Sequence, residues 1–116
     1  MDKQASGKAG EQIACRALEK KGFRLVERNY RALHAEIDLI MQDGKTLVFV
    51  EVKARSSDRF GSGREAVTFR KQQNILRAAQ AYLAEHGGFD DPLRFDVAEV
   101  DLVTGNVTHI ENAFGM

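Results

Sequence analysis

The sequence predicts a single α/β domain with a mixed five-stranded sheet flanked by helices. Three observations lead there. Two stretches, from about Ser6 to Lys21 and from about Thr68 to His86, repeat apolar residues at helical spacing. Asp43-Gly44 lies between two apolar runs of strand length, the signal for a tight antiparallel hairpin. A strand run also stands on each side of the second helical stretch, and a strand–helix–strand order implies a crossover and a parallel pair. At 116 residues there is room for one domain with a core of ordinary size. No repeat, linker or low-complexity segment divides it.

The elements follow in order. Met1 to Ala5 is expected to fray. The first helix runs from about Ser6 and is stopped by Gly22, with Ile13, Ala14, Cys15, Ala17 and Leu18 along one stripe. Gly10 falls in that stripe, where it weakens the helix but permits close packing. Phe23 to Arg28 reads as the first strand, the run from Glu36 as the second, and Thr46 to Arg55 as the third. Ser56 to Arg64 carries Gly61, Ser62 and Gly63 and reads as a mobile loop. The second helix presents Ile75, Leu76, Ala79, Tyr82 and Leu83 and ends at Gly87-Gly88. Leu93 to Val100 is the fourth strand, and Thr104-Gly105-Asn106 turns into a fifth near Val107 to Ile110.

Charge inside the second and third strands marks the functional region. Side chains alternate across a strand. Glu36, Asp38 and Ile40 therefore share one face, with Ile37, Leu39 and Met41 on the other. Leu47, Phe49, Glu51 and Lys53 likewise share a face, opposite Val48, Val50, Val52 and Ala54. With Asp43-Gly44 as the two-residue loop, Gln42 pairs with Lys45, Asp38 faces Phe49 and Glu36 faces Glu51. Asp38, Glu51 and Lys53 then lie on one side of the hairpin. One alternative is a half-exposed strand with ordinary cross-strand Glu–Lys pairs. Against it, both faces of the third strand are apolar apart from these charges, as in a strand covered on both sides. Glu11 is a fourth acid of interest. It shares a helix face with Ala14, Cys15 and Leu18, either pointing toward the sheet or reaching past its edge to water.

Glu11 on the first helix, Asp38 within Glu36-Ile37-Asp38-Leu39-Ile40 and Glu51-Val52-Lys53 together resemble the PD-(D/E)xK nuclease superfamily. Within it the chain is similar to the YraN family of small bacterial proteins, themselves similar to archaeal-type Holliday junction resolvases. The resemblance runs from about Gly7 to Asn112 and includes Asn29-Tyr30-Arg31, Val48 to Arg55 and Ala81-Tyr82-Leu83. Ala35 stands where the pattern has glycine. The resemblance implies a restriction-endonuclease-like domain and a metal-dependent DNA endonuclease or structure-selective nuclease acting on branched DNA. It implies Glu11, Asp38, Glu51 and Lys53 as catalytic residues, and Mg2+ or Mn2+ as cofactor. It also implies a homodimer, since the resolvases act as dimers.

The residue types suit that chemistry. Magnesium takes oxygen ligands and keeps several waters, so a few carboxylates suffice. Asp38 and Glu51 would be direct ligands, with Glu11 direct, water-mediated or at a second metal, and the Val52 carbonyl a further candidate. Lys53 would orient the attacking water or stabilise charge on the phosphorus oxygens. Glu36 is a candidate to orient a neighbour.

Formal net charge is zero, which argues against a general nucleic-acid sponge, but the charge is unevenly spread. From Lys53 to Arg77 seven basic residues meet two acids, a window of +5 that begins at the acid cluster. Arg55, Arg64, Arg70 and Lys71 are the candidate nucleic-acid contacts. Cys15 is the only cysteine, which excludes an internal disulfide and a cysteine zinc cluster. His34, His86 and His109 show no metal spacing. No transmembrane run or signal peptide is present, so cytoplasm is the expected location. Two other classes stay open at this point: a DNA-binding or accessory module on the same fold that does not cleave, and a protein-interaction domain.

Overall fold

The computed structural model describes residues 3–56, 67–88 and 90–115. Its elements are α1 (Lys3–Lys20), β1 (Arg24–Ala32), β2 (Ala35–Asp43), β3 (Thr46–Arg55), α2 (Phe69–His86), β4 (Leu93–Asp101) and β5 (Val107–Phe114). The sheet order is β1-β2-β3-β4-β5. β3 and β4 are parallel and the other neighbours antiparallel. This is the expected mixed five-stranded α/β domain, with one helix on each face of the sheet. The backbone of α1 is helical from Lys3, so the expected fraying does not extend to Ala5. The loop read from Ser56 to Arg64 lies mostly outside the described residues. Among the described residues, no helix is long and apolar enough to cross a membrane.

Strand alternation builds two cores. Ala14, Cys15 and Leu18 of α1 pack on Met41, Val48, Val50, Ala98 and Val100. Ile75, Ala79, Tyr82 and Leu83 of α2 pack on Ile40, Leu47, Phe49 and Phe95. β3 thus sends Val48 and Val50 to one helix and Leu47 and Phe49 to the other, as the pattern required. Gly10 is needed where α1 meets β3: a Cβ there would lie 2.5 Å from the Ala54 Cβ. Thr68 caps α2, its hydroxyl accepting from the Lys71 N–H at 3.2 Å.

The β2–β3 register differs from the expectation. The loop is Gly44-Lys45, not Asp43-Gly44. Asp43 pairs with Thr46, and Ile40, not Asp38, faces Phe49. Gly44 takes φ +59 at the first loop position, where a tight hairpin favours glycine. Sliding the loop by one residue moves every partner by two, so each side chain keeps its face. That is why the expected grouping of Asp38 with Glu51 survives a wrong register. A change in loop length by one residue would not have spared it.

One face assignment fails. Ile37 packs with Ile40 and Tyr30 on the α2 side, not with Leu39 and Met41. The slip coincides with Asn29 of β1, whose φ of +51 interrupts the pleat between the Arg28–Leu39 and Tyr30–Ile37 pairs. Asparagine is among the few residues that tolerate this backbone.

Candidate functional site

The site lies where β2 and β3 part. Their pairing ends at Leu39–Val50, while β3 continues beside β4 to Arg55. In the seam the Asp38 Oδ2 accepts the Val52 N–H at 2.8 Å, a side chain standing in for a ladder carbonyl. The strands are held together there but leave a notch. The close approach of Gly10 to Ala54 sets the next residue, Glu11, at its rim. The first turn of α2 brings Lys71 from the opposite face. Glu11, Asp38, Glu51, Lys53 and Lys71 line one cavity of about 290 Å³. Asp38, Glu51 and Lys71 also line a second of about 480 Å³ with His34, Glu36, Arg70 and Asn74.

Carboxylates crowd this notch. Oxygen atoms of Glu11, Glu36 and Asp38 all lie within 4.8 Å of one another. Asn29 joins two of them, its Nδ2 donating to Glu11 at 2.9 Å and to Glu36 at 3.0 Å. Arg31 Nε donates to the other Glu36 oxygen at 2.9 Å. Glu51, 4 % exposed, is held by cations: its Oε1 lies 2.7 Å from Lys71 Nζ and 3.7 Å from Lys53 Nζ.

Electrostatics follow from that inventory. Burial, then the charge of Glu51 and more weakly that of Glu11, raises the Asp38 carboxyl to about 8, against the opposing Val52 N–H and Lys71. Burial also lowers the Lys53 ammonium; Lys71 beside it acts in the same direction, while Glu51 and Asp38 oppose. Lys71 is half-buried, and the Glu51 carboxylate outweighs that desolvation cost, so its pKa is raised. Three acids with converging oxygens form an all-oxygen donor set, which fits a hard divalent cation.

The residues expected from sequence are placed as follows. Glu11, Asp38, Glu51 and Lys53 come together at the notch. Glu36 stands inside the acid group itself. Arg70 is exposed on the wall of the larger cavity. Lys71 is engaged with Glu51. Arg55, at the end of β3, is half-buried, and Arg64 falls outside the described residues. Asn29 belongs to the family pattern, yet an asparagine that bridges two acids from left-handed backbone has no periodicity to reveal its role.

A second buried charge cluster lies between β4 and β5. Asp96, fully buried, accepts from Arg94 at 2.9 and 3.0 Å, from the Asn112 N–H at 2.9 Å and from His109 Nε2 at 2.6 Å. Lys21 Nζ lies 2.8 Å from His109 Nδ1. An ammonium can only donate and a carboxylate only accept, so Nδ1 must accept and Nε2 carries the proton. Burial pushes the Asp96 carboxyl up, but Arg94, the Asn112 N–H and His109 together hold it below the usual value. The histidine count alone gave no hint of this pairing, because Asp96 and His109 meet only through the β4–β5 turn.

Residues 10–100 match the Uncharacterised protein family UPF0102. The chain is 47% identical over 116 residues to a UPF0102 protein of Chlorobium chlorochromatii, covering 93% of this chain and 89% of that one. It is 47% identical over 112 residues to one of Alkaliphilus oremlandii, covering 93% and 96%, and 42% identical over 112 residues to one of Legionella pneumophila, covering 96% and 95%. The solved structure of Pyrococcus furiosus SfsA in complex with Ca2+ is similar at a TM-score of 0.36 and 18% identity, across 99% of this chain and 66% of that one. The chain therefore belongs to the UPF0102 family, which the sequence resemblance anticipated as the YraN family.

Proposed function

We propose that this UPF0102 protein is a divalent-metal-dependent DNA endonuclease acting on branched or otherwise irregular DNA. The observation that carries the reading is the meeting of Glu11, Glu36, Asp38 and Glu51 with Lys53 in one solvent-reached notch. Structural acids are normally neutralised one by one. Here Asp38 is left beside other carboxylates, and burial first, then the Glu51 and Glu11 charges, raise its pKa to about 8. Asp38 with Glu11 and Glu36, or with Glu51, would hold Mg2+ or Mn2+. The bound ion would supply Lewis-acid activation of the phosphate and a more acidic water.

The chain's own residues do the rest. Lys53, its ammonium lowered by burial, sits where it can orient the attacking water or donate to the phosphate oxygens as charge builds. Asn29 fixes the Glu11 and Glu36 carboxylates, so the acid group keeps its shape when empty. Arg70 on the cavity wall would meet the phosphate backbone. Cytoplasmic location and action as a homodimer accompany the reading.

The test is a cleavage assay on linear, flapped and four-way DNA with Mg2+ or Mn2+, run on the wild type, Glu51→Gln and Lys53→Ala. Metal-dependent cleavage should fall to background in Glu51→Gln. It should fall by about 10²–10³ in Lys53→Ala, the scale for losing one charge-stabilising donor. DNA binding should survive in both. Binding without cleavage by the wild type on all three substrates would instead support a non-cleaving module on the same fold.

A further inference from the structure

We propose that Lys71 is a resident cation for Glu51, with which a divalent metal ion competes for that carboxylate. The inference rests on the reading of Asp38 and Glu51 as metal ligands. Glu51 is almost fully buried, and a buried carboxylate needs a partner. Two ammonium groups address it, both on Oε1, and Lys71 is nearer by 1 Å, at 2.7 against 3.7 Å. The Lys71 Nζ thus holds one of the two Glu51 oxygens and sets its charge against any cation that would bind between Asp38 and Glu51.

The position of Lys71 is otherwise unfavourable. It stands three residues after the Thr68 cap, in the first turn of α2, a turn with no acidic residue. Helix dipoles favour acids there and disfavour cations. Helix stability therefore gives no reason for a lysine at this place, and Glu51 does. Lys71 also has an exit. Its side chain is 42% exposed, against 22% for Lys53, and it opens onto the 480 Å³ cavity that Arg70 shares. Lys53 is the cation that stays; Lys71 is the one that can leave. An ammonium released into that cavity would lie beside the phosphate that Arg70 is proposed to meet. Metal binding to the free protein would thus be weak by design, with one carboxylate already committed.

The experiment is a calorimetric Mn2+ titration of the full chain, as wild type, Lys71→Met, Lys71→Arg and Asp38→Asn, with melting temperatures in EDTA and in Mn2+. Lys71→Met should bind Mn2+ on the order of tenfold more tightly than wild type, the scale of removing one nearby charge in a partly screened site. Its melting temperature should be lower in EDTA and rise more on adding Mn2+. Lys71→Arg keeps the charge and should bind like wild type. Lys71→Gln, closer in polarity, serves if the methionine variant does not fold. Equal or weaker Mn2+ binding by the neutral variants, with binding still lost in Asp38→Asn, overturns the role of Lys71 alone. Mn2+ binding that is absent throughout, or indifferent to Asp38→Asn, overturns the metal-site reading and this inference with it.

Discussion

Asp38 and Asp96 are carried by strands of one sheet, β2 and β4, the first half-buried in the notch and the second fully buried, and loss of solvent raises both carboxyls. What surrounds them then drives them apart. Asp96 receives four hydrogen bonds, from a guanidinium, a backbone N–H and an imidazole. These overcome burial and hold it ionised. Asp38 receives the Val52 N–H and faces Glu51 and Glu11, and its pKa climbs to about 8. The β4–β5 cluster is complete without a ligand: two bases, one acid and a tautomer fixed by its neighbours. The β2–β3 notch is not. On the proposed reading, it is the sign of the residual field rather than the depth of burial that separates the structural charge from the functional one.

The largest expected effect tests that contrast directly. Asp96→Ala removes the buried carboxylate that Arg94 and His109 share, leaving Arg94 only the half-exposed Asp43, and should destabilise the fold by about 3–5 kcal/mol, the scale of breaking a buried pair on one side. Asp38→Asn removes a repelled charge and retains an oxygen for the Val52 N–H. In EDTA it should leave stability unchanged or raised. Chemical denaturation of the two variants decides the matter. A mild Asp96→Ala with a severe Asp38→Asn would reverse the assignment of the two clusters.

A smaller effect separates them by pH. The folded Asp38 titrates near 8 and the unfolded one near 4. Its contribution to stability is therefore fully present below about pH 4 and lost as pH rises through about 8. The loss is at most about 1.4 kcal/mol per pH unit for one proton. Asp96 runs the other way: its folded pKa is lowered, so its contribution is present above about pH 4 and is lost as pH falls. Unfolding free energies measured in EDTA from pH 3 to 9 should show Asp38→Asn flattening the decline between about pH 4 and 8. Asp96→Asn should flatten the acid limb. Since Asp38 must release its proton to bind metal, Mn2+ affinity should also rise with pH up to about 8. A pH-independent affinity between 6 and 8 would place the metal away from Asp38.

Parity explains why so much of the notch was legible in the sequence. Placing Asp38 and Glu51 on one face needs only the correct loop length, and Asp43-Gly44 gave two residues, although the loop proved to be Gly44-Lys45. Gly10 in the apolar stripe announced the close approach to Ala54 that sets Glu11 at the rim. What sequence could not give is whatever departs from regular geometry. The left-handed backbone of Asn29 coincides with the turn of Ile37 to the other face, and the Asn29 side chain ties Glu36 to Glu11. The Asp96–His109 pair depends on a β4–β5 register that shifts between Phe95 and Val97. Lys71 reads in sequence as a basic residue of the +5 window, but its partner Glu51 lies across the β3–α2 connection and could be found only in three dimensions.

The smallest effect concerns the rim of the notch rather than its floor. Arg70 is exposed, one residue before Lys71, and opens on the cavity shared by Asp38 and Glu51. It makes no contribution to either buried cluster, so Arg70→Ala should leave stability and Mn2+ affinity as they are. If it meets a phosphate, its loss should weaken DNA binding severalfold and flatten the dependence of log affinity on log salt by roughly 0.9 for duplex DNA. The weakening should be alike for unrelated sequences, because phosphates carry no base information. Glu51→Gln should do the reverse at the same salt, keeping or tightening binding by removing a negative charge beside the phosphate path while cleavage is lost. Fluorescence anisotropy on one labelled DNA between 50 and 200 mM salt resolves both slopes. An unchanged slope in Arg70→Ala would move the DNA path off this cavity. The division between a complete cluster at Asp96 and an incomplete one at Asp38 would still stand.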